Sequence, residues 1–176
     1  MYLTTHAAVG VVISKAMGTP ALALPVAFLS HFVLDAIPHG DERVARWVTR
    51  QPKKGFVVGI LDATMLMLLI AFIVGTQRNE TIGLLLAGIF GALLPDFITN
   101  IFPFLHRETR WFRSLFPSGG LFRRGSIGRM LRKHDLLHEH IHNPLAWEFS
   151  LVQGFVLQGL IIVISLIGRV ALSNNQ

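Results

Sequence analysis

The stretch from Gly55 to Gly75, GFVVGILDATMLMLLIAFIVG, sets the first limit on what this chain can become. At ~1.5 Å of rise per residue, a helix over it reaches about 30 Å, the thickness of a bilayer's hydrocarbon core. Its single charged residue is Asp62. Composition points the same way: of 176 residues, 52% are hydrophobic and 15% charged, with a mean hydropathy of +0.54. An ordinary soluble domain carries about 25% charged residues. The expectation is therefore one all-α domain over residues 1–176, a polytopic membrane bundle of about five helices.

Turn and breaker signals divide that bundle. Helix 1, about 4–17, is short for a span and ends at Gly18-Thr19-Pro20, with Thr4 or Thr5 as its expected cap. Helix 2 covers about 20–37, with Pro25 as a kink and Pro38 as its stop. Helix 3 covers about 55–75. Helix 4 covers about 81–101, with a kink where Pro95 precedes Asp96. Residues 105–145 form a long hydrophilic region before helix 5, about 147–172. Gly83, Gly88 and Gly91, with Gly154 and Gly159, are expected to allow close helix contacts. Met1 to Thr5 lacks the basic start of a signal peptide, so the N-terminus is expected to be retained.

Charge orients the helices. Of 16 Lys and Arg residues, 13 fall in 40–54 and 105–145, which flank the helix 3–helix 4 hairpin on one side. The positive-inside rule makes that side and the N-terminus cytoplasmic, and the C-terminus external. The absence of cysteine excludes disulfides and thiolate ligands. The formal charge of +6 fits topology and lipid phosphates better than nucleic acid, for which no motif is present.

Polar residues inside apolar segments carry the chemistry. In FLSHFVLDAIPHGD, His31 and Asp35 share one helix face at i, i+4, and His39 and Asp41 follow beyond the proline. Ionisable groups in such segments are costly and mark function. His6, His31, Asp35, Asp62 and Asp96 all fall toward the same predicted side, as do His134, His138 and His142 before helix 5. The outer halves of the helices hold no His or Asp. These eight are the expected metal ligands, since His-x3-His spacing places two imidazoles on one ion. Imidazole with carboxylate and no thiolate suits zinc first, then manganese or iron. Asp62, Asp96 and Glu139 are the candidate proton carriers, with Glu148 a further one. Arg107, Arg110, Arg123, Arg124 and Arg129 are expected to hold a substrate phosphate, or else to serve topology and anionic head groups.

The opening THAAVG, the segment HFVLDAIPHGD and the helix-embedded LPD resemble the membrane-bound metal-dependent hydrolases. The pair His31 and Asp35 is also similar in type to ligand pairs of zinc-dependent phospholipases C. The resemblance implies hydrolysis at a metal held by His6, Asp96 and a later histidine. The leading expectation is a metal-dependent hydrolase acting on a phosphoester, or related bond, of a lipid or lipid-linked substrate at the cytoplasmic interface. The alternatives are a divalent-cation or proton transporter, and a non-catalytic scaffold whose basic loop binds lipid or protein.

Overall fold

The computed structural model describes residues 1–37, 50–76, 79–98, 133, 136 and 150–173. Five helices make up the described part: α1 Leu3–Met17, α2 Pro20–Asp35, α3 Pro52–Thr76, α4 Asn79–Asp96 and α5 Leu151–Ser173. No strand occurs among the described residues. Each predicted helix is present, with ends shifted by a few residues. The regular part of helix 4 runs to Asp96 and passes into a π-type turn at Phe97 and Ile98; the expected continuation over 99–101 lies outside the described residues. Pro95 lies inside α4 and is buried. It has no N–H to give to the carbonyl of Gly91, so the ladder loosens where the polar residues begin.

The short helix sits at the centre. α1 packs against all four of the others. Ala7, Ala8 and Val11 from α1 meet Leu69 and Ile73 of α3 and Leu85 and Ile89 of α4 in one hydrophobic core. Its exit is a left-handed turn at Gly18, φ 68°, whose N–H closes on the Ser14 carbonyl at 3.0 Å. Glycine supplies that φ without a Cβ penalty. Pro20 then opens α2 at its first turn, where a missing N–H is harmless.

The start of α1 corrects an expectation. Neither Thr4 nor Thr5 caps it; Tyr2 is the N-cap and offers no side-chain bond. The free N–H groups are satisfied from neighbouring helices instead. Asp62 of α3 accepts from Leu3 N at 2.8 Å and Thr4 N at 3.2 Å, and Gln158 of α5 accepts from Tyr2 N at 2.8 Å. Because α1 begins inside the bundle, water cannot serve these donors and side chains of α3 and α5 must. At the opposite end, the Arg169 guanidinium donates to Thr76 Oγ1 at 2.8 Å and lies 5.5 Å from the Phe72 ring centre, tying α5 to α3.

Two helical stretches, Phe56–Thr76 and Val152–Leu172, are long and apolar enough to cross a membrane. Only 11% and 17% of their residues are buried, whereas the core helix of a soluble protein is mostly covered. Phe56, Met67, Val152 and Ile164 stand outward with little cover.

Glycines set the inner spacings. A Cβ on Gly88 would overlap Ser14 Oγ and the Gly10 carbonyl, and one on Gly91 would overlap the Leu24 carbonyl. Gly83 and Gly159, expected in the same role, have nothing within 4 Å of a built Cβ. Gly88→Ala should therefore cost about 1–3 kcal/mol through overpacking. Gly159→Ala should be neutral or stabilising by up to ~1 kcal/mol, because alanine favours helix interiors. Thermal unfolding of both variants in the same detergent checks this contrast; equal losses would refute the packing assignment.

Candidate metal centre

α1, α2 and α4 bring their polar residues to one end of the bundle. His6 lies in the first turns of α1, His31 and Asp35 close α2, and Asp96 closes α4. One ligand atom from each of His6, His31 and Asp96 falls within 4.8 Å of the others. Asp35 stands among them, with Oδ1 3.2 Å from His6 Nε2 and Oδ2 3.0 Å from His31 Nε2. The two imidazoles stack at 4.1 Å with planes 20° apart. His6 and His31 are 0% exposed, Asp35 is 2% exposed and Asp96 is half-buried. The Met1 amino group donates to Asp35 Oδ1 at 2.7 Å, adding a positive charge to the buried carboxylate.

Hydrogen bonds fix which nitrogen faces inward. His31 Nδ1 lies 2.8 Å from the Ala92 carbonyl, which only accepts, so this nitrogen carries the hydrogen. His31 Nε2 then faces the Asp35 carboxylate, and one of two things must lie between them: a proton or a cation. A proton makes an imidazolium–carboxylate pair and is the plainer answer for His31 alone. It leaves His6 unexplained. Neither ring nitrogen of His6 has a hydrogen-bond partner, although both are fully buried, and the approach of Nε2 to Asp35 is misaligned for one. Buried polar atoms without partners are rare, and a missing ion is among the standard reasons.

The donor set fits a divalent ion. Ligand atoms on a single ion with bonds of ~2.1 Å stand roughly 3–3.5 Å apart, close to the His–Asp35 separations of 3.0 and 3.2 Å. A ligating histidine normally gives its other N–H to a carbonyl or carboxylate, which orients the ring. His31 has that arrangement through Ala92. Two imidazoles with carboxylates suit zinc, manganese or iron.

Asp62, expected as a ligand or proton carrier, has a different place. Besides its backbone bonds to α1, its Oδ1 accepts from Thr4 Oγ1 at 2.7 Å. With its oxygens engaged by the start of α1, it belongs to the helix cap rather than to the His6–His31–Asp96 group. His39, Asp41, His134, His138, Glu139, His142 and Glu148 lie outside the described residues, as do Arg107, Arg110, Arg123, Arg124 and Arg129.

Three contributors escaped the sequence reading. The Ala92 carbonyl and the Met1 amine leave no side-chain signature. Gln158 does: it is the more deeply placed of two amides in an apolar helix, 3% exposed, and also accepts from Thr5 Oγ1 at 3.3 Å. Comparison of the chain with protein-family models, curated proteins and solved structures finds no match. The assignment of the centre therefore rests on its own geometry.

Separating cap from ligand is testable. Asp62→Ala leaves buried N–H donors without partners and should destabilise the fold by about 1–3 kcal/mol, while the content of bound divalent metal stays as in wild type. Calorimetry and elemental analysis on the same preparation read the two effects independently.

Proposed function

We propose that this chain is a five-helix membrane protein holding a divalent metal, zinc by preference, between His6, His31, Asp35 and Asp96. We further propose that it hydrolyses a phosphoester or related bond of a lipid or lipid-linked substrate there. The observation that carries the reading is the fully buried His6, its two ring nitrogens without hydrogen-bond partners beside Asp35 and His31. A divalent ion in such a donor set supplies Lewis-acid polarisation of a phosphoryl oxygen and acidifies water near neutral pH. The chain's own part is to hold the His31 imidazole in one tautomer through the Ala92 carbonyl, to exclude water around His6 and His31, and to present Asp96, the half-exposed carboxylate. Asp96 is the proton carrier of choice, because it is the half-exposed member of the group.

The membrane placement draws on the two long apolar helices and their uncovered side chains. The basic linkers 40–54 and 105–145 argue for this end being cytoplasmic, with the C-terminus outside. Arginine, the commonest charged residue of those linkers, is chemically suited to a substrate phosphate.

Burial favours one second reading. His6 and His31 are enclosed on all sides, as in a site that passes a cation or proton rather than one that meets a substrate. Uptake of divalent metal into proteoliposomes, set against phosphate release from lipid phosphates in mixed micelles, discriminates the two.

Elemental analysis of detergent-purified protein should find about one divalent ion per chain, and His6→Ala and His31→Ala should each abolish it. Saturating the site at about 100 times Kd should stabilise the wild type by ~2.7 kcal/mol, read as a rise in Tm that chelator reverses. Metal-free wild type, with a Tm indifferent to zinc, manganese and iron, would remove the metal reading.

A further inference from the structure

We propose that the apolar groove along α4 holds a hydrocarbon chain of the substrate, an anionic lipid whose phosphate head lies at the His6–His31–Asp96 cluster. This deepens the hydrolase reading and rests on it.

The groove encloses about 600 Å³ between α1, α3 and α4, with Leu3, Leu66, Leu86, Phe90, Leu93 and Phe97 among its walls. Every lining side chain is hydrocarbon or glycine. On α4 the lining recurs at Gly83, Leu86, Phe90 and Phe97, the spacing of one helix stripe. From Gly83 to Phe97 the stripe runs about 20 Å at ~1.5 Å per residue, more than the depth of one leaflet of a ~30 Å hydrocarbon core.

One end of this groove belongs to the metal centre. Leu3 stands one turn before His6 on α1, Leu93 one turn before Asp96 on α4, and Phe97 directly after it. A chain lying in the groove therefore delivers its head to Asp96, the cluster's half-exposed member. Charge selects the head. The linkers joining α2 to α3 and α4 to α5 follow helix ends that lie at this end and carry 11 of the 16 Lys and Arg residues. A phosphate complements both linkers of that net charge and a divalent ion; a neutral head complements neither.

The test uses wild-type protein in phosphatidylcholine vesicles containing phosphatidic acid with a photoreactive diazirine at its chain end. The expected result is labelling of α4 between Gly83 and Phe97, and of Leu66, about tenfold above that from a diacylglycerol with the same chain. Gly83→Phe, placed where a Cβ meets nothing within 4 Å, should remove the label without unfolding the protein. Ala87→Trp is a second block. Both should cut phosphate release from phosphatidic acid about tenfold and spare release from a water-soluble aryl phosphate. Equal labelling by the two lipids makes the groove a bulk-lipid surface and overturns the proposal. So does undiminished turnover of phosphatidic acid by a metal-loaded, blocked variant. Metal-free wild type whose groove still prefers the anionic probe sinks the hydrolase reading alone and leaves the binding site standing.

Discussion

The contact between Gly10 of α1 and Gly88 of α4 brings two helix backbones against each other, and the geometry of the polar end follows from it. Residues four apart share a helix face. On α1 that face carries His6, Gly10 and Ser14; on α4 it carries Gly88, Ala92 and Asp96. α2 joins through Leu24, whose carbonyl meets Gly91, and seven residues later presents His31 to the Ala92 carbonyl. The ligand candidates therefore lie on the same stripes that pack. A shift large enough to admit one methyl group between α1 and α4 would be felt a turn or two away, where separations near 3 Å decide whether two nitrogens and a carboxylate can share an ion.

Close backbone packing also explains why the centre of the bundle is the shortest of its apolar helices. A helix of 15 residues cannot reach across a hydrocarbon core by itself. Its start lies within the bundle, where unpaired N–H groups are costly. Asp62 and Gln158, each in the first half of a longer helix, meet those groups. One acid is thus used to seat the helix that carries His6, and two others, Asp35 and Asp96, stand beside His6 itself.

Much of this was legible in the sequence, and the residues show where legibility stops. Apolar runs punctuated by Gly18, Pro20 and charged linkers located the five helices described, because length and hydropathy are local properties. The i, i+4 pairing of His31 with Asp35 was equally local. Asp62 was recognised as an exceptional residue in an apolar helix, yet cap and ligand look the same in one dimension; only the position of Leu3 and Thr4 across the bundle separates them. Glycine was ambiguous in the same way: Gly88 and Gly91 touch backbone, while Gly83 faces open space in the same helix. The Ala92 carbonyl, which sets the His31 tautomer, had no signal at all, since every residue carries a carbonyl.

The uneven burial of the cluster bears on what it is built for. A relay that passes an ion across needs polar groups along its whole path. Among the described residues between the two ends of this bundle, the core is Ala8, Val11, Leu69, Ile73, Leu85 and Ile89, and the buried Ser14 donates its hydroxyl to the Gly10 carbonyl. At the far end, Arg169 is bonded to Thr76 and lies over Phe72, a cation that repels any divalent ion arriving there. Exchange with the surroundings is left to the side where α4 loosens at Pro95 and Asp96 is half-exposed. On the proposed reading, the ion stays in place between the enclosed imidazoles and the substrate reaches it at Asp96. The apolar groove ending at Phe97 is the feature from which a lipid character is proposed for that substrate.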